Sequence, residues 1–341
     1  MAWEIHHRNG IWLPQIDWRL DAPVAAARSF VSHAHSDHIA AHREIICSAA
    51  TARLMRARLG GARLEHVLPF GHTEALTRDT AITLHPAGHI LGSAQCLLTH
   101  TEHGTLLYTG DFKLRSGLAA EPCATPRADV LIMESTFGLP RYVFPPAAEV
   151  MAAIAGFCRQ ALADGATPVL YAYSLGKSQE LMRGLAASGL PLMVHPQTLR
   201  LGRIYAELGT ILPPHREFAA AECAGHVVIC PPQWGKSSFL PAIPMARTAV
   251  VTGWALDAGA IYRYQCDAAF PLSDHADFNE LLMFVERVKP RLVYTVHGFA
   301  QEFAQTLRAR GIEAWALGAD NQLELRLGAA AAGPGMPPEE D

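Results

Sequence analysis

Three histidines and an aspartate fall within six residues in His33-Ala34-His35-Ser36-Asp37-His38. Imidazole nitrogen and carboxylate oxygen at that density suit a metal centre: they are the donors expected for Zn²⁺ and, second, for Mn²⁺. On an extended segment alternate side chains share a face, so His33 and His35 aim the same way. Asp37 and His38 occupy the turn that follows and can serve a second ion. A lone His-x-His would carry little weight; the uninterrupted string carries more.

Further candidates recur at strand ends before glycine-bearing turns. His89 stands in Gly88-His89-Ile90-Leu91-Gly92, Asp111 in Thr109-Gly110-Asp111, and His297 in Val296-His297-Gly298. A rigid sheet presents such residues along one edge. Together with the first string they make a two-metal set. His33, His35 and His89 are expected to hold one ion; Asp37, His38 and His297 the other; Asp111 bridges.

The elements that must position these groups are legible in outline. Residues 62–133 read as short strands bounded by turns, among them Ala81–Leu84, Gln95–Leu98, Thr105–Tyr108 and Val130–Met133. Thr51–Leu59 has helical spacing ended by Gly60-Gly61. After Gly138 the texture changes. Ala147–Ala163 reads as an amphipathic helix, Val169–Tyr173 as a strand, and Gly176-Lys177-Ser178 opens a helix through Leu185, the unit of a parallel sheet. Helices at Phe278–Val288 and Gln301–Arg310 alternate with strands at Leu292–Val296 and near Ala314–Leu317.

Composition narrows the class. With 50% hydrophobic and 18% charged residues the chain reads as a globular α/β enzyme. Seven cysteines form no Cys-x-x-Cys pair, so reduced buried thiols are expected. No apolar run approaches the roughly 18 residues needed to span a bilayer, so no membrane association and a cytoplasmic location are expected. A net charge of −4 argues against a surface coated for non-specific nucleic-acid binding. Gly176-Lys177-Ser178 is no P-loop, because position 171, where a glycine is required, is Tyr.

The ordered motifs resemble the metallo-β-lactamase superfamily in its β-CASP nuclease branch. His33-x-His35-x-Asp37-His38, Gly88-His89 and Gly110-Asp111 resemble the superfamily's metal motifs. Glu134-Ser135-Thr136-Phe137-Gly138 resembles the branch's motif A, Ser273-Asp274-His275-Ala276-Asp277 motif B, and Val296-His297-Gly298 motif C. Tyr173–Leu181 and Thr252-Gly253-Trp254 are similar to segments of the inserted domain. Within the branch the chain looks most like the bacterial DNA-ligase-associated exonucleases.

The resemblance implies a four-layered αββα sandwich, in an α/β (α+β) chain, interrupted by an α/β β-CASP domain. Residues 1–138 and 271–327 would form the sandwich and 139–270 the insert, with 328–341 a flexible tail. It implies two divalent ions, Zn²⁺ first and Mn²⁺ second, sharing a hydroxide as nucleophile. Asp37, Glu134 and His275 are the expected catalytic residues: His275 as general acid, Glu134 accepting its other N–H. Asp17 is expected to orient a ligand histidine. Ser135, Thr136, Lys177 and Ser273 are expected to meet phosphate, Lys177 with open N–H groups at the start of its helix. Asp277 is expected to cap the Phe278 helix. The implied activity is hydrolysis of DNA, as an exonuclease on single strands or ends in repair, with a functional association with a DNA ligase. An RNA-processing nuclease is the alternative, since a motif C histidine is commoner among RNA-cleaving members. A small-molecule metallo-hydrolase is a more distant one.

Overall fold

A computed structural model describes residues 2–233 and 240–318; the expected tail at 328–341 lies outside them. The chain divides into two compact units. Of the described residues, one comprises Ala2–Ser116, Glu121–Val143 and His275–Gly318; the other Gly117–Ala120 and Phe144–Asp274.

The first unit opens with β1 (His6–His7), β2 (Ile11–Leu13), β3 (Trp18–Leu20), β4 (Arg28–Phe30), β5 (Glu44–Cys47), helix α1 (Ala49–Arg58) and β6 (Leu64–Val67). These six strands form one sheet in sequence order, antiparallel at β1–β3 and parallel from β3 to β6. Next come β7 (Thr73–Ala75), β8 (Thr80–Pro86), β9 (Ala94–His100), β10 (Gly104–Tyr108) and β11 (Val130–Glu134).

The second unit contains α2 (Ala147–Ala163), β12 (Thr167–Tyr171), α3 (Lys177–Leu185), β13 (Leu192–Val194), α4 (Pro196–Glu207), β14 (His215–Glu217), β15 (Val227–Cys230), β16 (Ala246–Val251), α5 (Ala260–Tyr264) and β17 (Ala268–Phe270). Its six strands pair in the order β14-β13-β15-β12-β16-β17, all parallel. The inner strands β12, β13 and β15 are buried on both faces, as their Val/Ile/Leu-rich runs require, while the edge strands β14 and β17 are more open.

The chain then returns to the first unit with α6 (Phe278–Val288), β18 (Leu292–Val296), α7 (Ala300–Ala309) and β19 (Glu313–Ala316). The second sheet of this unit runs β19-β18-β11-β10-β9-β8-β7, so β18 enters between β11 and β19.

Strand alternation builds two separate cores in the first unit. Cys96, Leu98, Leu106, Tyr108 and Ile132 point to the interior shared with Leu13, Trp18, Leu20 and Phe30 of the first sheet. Their neighbours Leu107, Leu131 and Met133 point the opposite way, against Leu281, Phe284, Val285, Phe303 and Leu307 of α6 and α7. Each such side chain contributes about 1.5–3 kcal/mol by full burial. With α1 packed on β6, the layers are helix, sheet, sheet, helix, the αββα sandwich expected. Asp277 caps α6: its carboxylate accepts the Glu280 N–H at 2.9 Å, and Glu280 answers at the Asp277 N–H at 3.0 Å. Among the described residues no helix is long and apolar enough to cross a membrane.

Candidate functional site

The metal-ligand candidates come from loops that leave the strands of the first unit. His33, His35, Asp37 and His38 follow β4; His89 follows β8; Asp111 follows β10; His297 follows β18. Gly88 makes the His89 turn feasible. Its φ is +80°, and a Cβ there would lie 2.3 Å from the Lys113 carbonyl.

Three ring nitrogens converge. His35 Nδ1 lies 3.0 Å from His33 Nε2 and 3.1 Å from His89 Nε2. Asp111 Oδ2 stands 3.6 Å from His33 Nε2, 3.9 Å from His89 Nε2 and 3.3 Å from His38 Nε2. Asp111 therefore reaches both halves of the cluster. Asp37 Oδ2 is 3.4 Å from His38 Nε2. His297 stands further out and exposed, with its ring 5.6 Å from that of His38.

The donor set fits cations. Four buried groups, His33, His35, His89 and Asp111, point ligand atoms at one spot within 4.8 Å of one another. Asp37 Oδ1 is buried without a hydrogen-bond partner, as an oxygen awaiting an ion would be. Burial, reinforced by the crowding of His38, His89 and His35, holds His33 well below the ordinary imidazole range, so its nitrogen keeps a lone pair. Burial opposes charge on His38 too, yet Asp37, Asp111 and Asp21 together raise it well above that range. The same neighbours act on the carboxylates. Burial would raise Asp37 and Asp111, but the imidazoles, His38 foremost, hold both below the usual carboxylate range. The pocket wants positive charge, which a divalent cation would supply.

Tautomers are fixed from behind by Asp21. Its Oδ1 accepts the Ser32 N–H at 2.7 Å. Its Oδ2 accepts from Ser32 Oγ at 2.5 Å, His38 Nδ1 at 2.8 Å and Tyr108 Oη at 2.8 Å. Burial and this carboxylate push the Tyr108 phenol well above its ordinary value, so the hydroxyl keeps its proton to donate. Ser32 has given its hydrogen to Asp21 and so accepts from His33 Nδ1, 2.9 Å away. His33 thereby turns an unprotonated Nε2 toward the cluster, and His38, held through Nδ1, turns toward it the Nε2 that would lose its proton to a bound cation.

Beside the cluster lies the expected acid pair. His275 Nδ1 is 3.0 Å from both oxygens of Glu134, a buried carboxylate at the end of β11 whose Oε1 also accepts the Phe112 N–H at 2.8 Å. The His275 ring lies 4.7 Å from that of His89. Asp111, Glu134 and His275 also place ligand atoms within 4.8 Å of one another. Arg115 Nη2 donates to the His275 carbonyl at 2.8 Å while the same guanidinium pairs with Glu280, which pins the backbone.

Several expected roles fall elsewhere. Asp17 does not reach a histidine: its side chain is 73% exposed, 3.7 Å from the Arg28 guanidinium. Asp21, four residues on, takes that place, and its signal in the sequence is an acid directly behind the alternating strand Trp18-Arg19-Leu20. Ser135 Oγ donates to the carbonyls of Val296 and His297 at 3.0 and 2.8 Å, so it joins strand ends instead of meeting phosphate. Lys177 is buried, its Nζ 2.9 Å from the Leu272 carbonyl and 2.6 Å from Asp274 Oδ1. The first N–H groups of α3 are also taken: Gly176 by Gln179 Oε1, Lys177 by Leu175 O and Ser178 by Tyr173 O. Ser273 is buried; Thr136 is partly exposed.

Comparison with known proteins agrees with this geometry. The Zn-dependent metallo-hydrolase RNA specificity domain matches residues 266–317. A protein of Opitutus terrae named "Probable DNA ligase" is 65% identical over 327 residues, 96% of this chain and 32% of the relative. The 5′ exonuclease Apollo of Gallus gallus is 29% identical over 290 residues, 80% of this chain and 59% of the relative. The chain thus spans about a third and about three fifths of these relatives. A solved structure of a protein of unknown function from Enterococcus faecalis V583 shares the fold, with TM-score 0.57 at 11% identity, covering 86% of this chain and 79% of the other.

Proposed function

The chain belongs to the β-CASP branch of the metallo-β-lactamase superfamily, and on that premise we propose that it is a metal-dependent DNA exonuclease, acting on single strands or ends. The observation that carries this reading is the Glu134–His275 pair set against the His/Asp cluster. A phosphodiester needs a proton for its leaving alkoxide, and this pair delivers one. A hydrolase of small activated substrates needs no such donor.

In this reading His33, His35 and His89 would hold one divalent ion, Asp37, His38 and His297 would hold a second, and Asp111 would serve as a ligand as well. Bound there, the pair supplies Lewis acidity that activates water and offsets charge building on the phosphoryl oxygens. The chain's own residues do the rest. Asp21 keeps His33 and His38 in the ligating tautomer. Glu134 accepts the Nδ1–H of His275, orients the ring and favours its protonated form, and Nε2 passes a proton to the leaving oxygen. Burial of Asp111 and Glu134 excludes water that would weaken these interactions.

DNA is favoured by the name of the 65%-identical relative, a probable DNA ligase, and exonuclease action by the name of the 29%-identical one, a 5′ exonuclease. A place in DNA repair beside a ligase belongs to the same proposal, supported by the name of the 65%-identical relative. RNA is the second reading, favoured by the motif C histidine His297 and by the description of the domain matched at 266–317.

Labelled DNA and RNA of one sequence, offered side by side with Zn²⁺ or Mn²⁺, decide between them. Faster degradation of DNA is expected; equal or faster loss of RNA overturns the assignment. His275→Ala should slow cleavage by about 10²–10⁴-fold with metal content unchanged at about two ions per chain. Loss of metal in that variant would make His275 a ligand instead.

A further inference from the structure

We infer that Arg141 is a binding residue for nucleic acid, a cation held at the rim of the candidate site for a backbone phosphate beside the scissile one. The inference rests on the nuclease reading and names a substrate contact within it.

Arg141 is an exposed residue seven positions beyond Glu134. Its guanidinium carbon sits 4.7 Å above the Tyr142 ring and 5.5 Å from the centre of the Phe299 ring. Its Nη2 donates to Tyr142 Oη at 2.9 Å. The two rings lie 5.5 Å apart and 30° from parallel, a broad apolar platform under the cation.

That platform is built into the site. Tyr142 stacks edge-on with Phe137 at 5.1 Å, and Phe137 meets the His275 ring at 6.1 Å. The Tyr142 carbonyl accepts the Phe278 N–H at 2.9 Å, just past the motif B segment. Phe299 follows His297 by two residues, and its N–H donates to the Ser135 carbonyl at 3.0 Å. One aromatic cluster therefore joins the segments carrying Glu134, His275 and His297, and Arg141 lies on it.

An exposed arginine usually loses side-chain entropy on gripping a ligand. Here stacking and the Tyr142 bond have already fixed its plane, so little remains to be lost. A planar fork of N–H donors matches two phosphate oxygens. A protein of net charge −4 gains from a fixed cation where a polyanion must approach.

The test uses the full chain, metal-loaded, with His275→Ala to stop turnover. A fluorescein-labelled single-stranded oligodeoxynucleotide is titrated by anisotropy at several KCl concentrations, and melting is recorded for each variant. Arg141→Ala should raise Kd about 5–20-fold and flatten the plot of log K against log salt by about 0.7, the share of one phosphate contact. Arg141→Lys should keep the salt slope while losing part of the affinity, because the charge stays and the planar stack does not. Unchanged Kd and slope in Arg141→Ala overturn the inference and leave the nuclease reading standing. If Arg141→Ala melts early, Arg141→Gln, which keeps a planar amide over the rings without the charge, decides: affinity and slope both equal to the parent's make the stack structural alone. Failure of the parent to bind any oligonucleotide overturns the nuclease reading, and this inference with it.

Discussion

Asp21 accepts four hydrogen bonds, and two of its donors, Ser32 and His38, control which nitrogen a ligand histidine turns to the cluster. Asp21→Asn should therefore lower metal affinity by about 10–100-fold, while Asp17→Asn leaves it unchanged, both read by chelator competition. The reading of the sequence chose the wrong one of these two acids. Both precede apolar stretches in turns, and both adopt positive φ, +55° and +44°. Only packing tells which one meets Ser32 and Tyr108. His195 gives a second residue-scale prediction. Its Nδ1 caps α4 by accepting the Gln197 N–H at 3.1 Å, and burial lowers its pKa to about 4. The unfolded chain takes up that proton near the ordinary value of 6.5. Between the two values the unfolded state binds more protons, so acidification erodes stability by at most about 1.4 kcal/mol per pH unit. The contribution is complete above pH 6.5 and exhausted below 4. His195→Asn, which keeps a capping acceptor and cannot titrate, should flatten that limb of the melting-temperature profile; an unchanged limb would assign it to other groups.

Helix α1 ties two ligand loops to one rigid rod. At its start Ser48 and Thr51 donate to the Gly92 carbonyl at 2.6 and 3.0 Å, in the turn that carries His89. At its end Arg58 donates to the Ala34 carbonyl at 3.1 Å, between His33 and His35. Thr51→Val combined with Arg58→Met should loosen the triple-histidine position selectively. In a chelator titration one ion should leave about tenfold more readily than in the parent, with the other retained; joint release of both would refute a selective strut. Elements of this kind were largely legible. Helical spacing places α2 at 147–163 and α6 at 278–288, as found, because amphipathic period and capping are local properties. Their partners were not. The N–H groups of α3, expected to await phosphate, are spent on Tyr173, Leu175 and Gln179. Lys177 finds Asp274, 97 residues on, which no local pattern announces.

Over the whole molecule, the described ligand candidates and the acid pair all belong to the first unit, while the second has its own parallel sheet and core. Removing metal should therefore speed hydrogen exchange in β9–β11 and β18 and leave β12, β15 and β16 unchanged. A ligand held at a hundredfold excess over its dissociation constant contributes about 2.7 kcal/mol, which sets the size of the effect. Equal acceleration in both sheets would show that the metals stabilise both units. The change of texture at Gly138 is visible in the sequence, and the sandwich follows from strand alternation. That His275 joins Glu134 came only through the resemblance, since 141 residues separate the histidine from its carboxylate. This separation also sets a timetable. The Ser135 hydroxyl finds its acceptors at Val296 and His297, 161 and 162 residues later, and β18 must slot between β11 and β19 before the second sheet is whole. At ribosomal speeds of about 5–20 residues per second, that delay is roughly 8–30 s. Until those later segments emerge, a growing chain carries the histidine string at residues 33–38 without the proton donor, so on the nuclease reading the enzyme is armed only once His275 has been made.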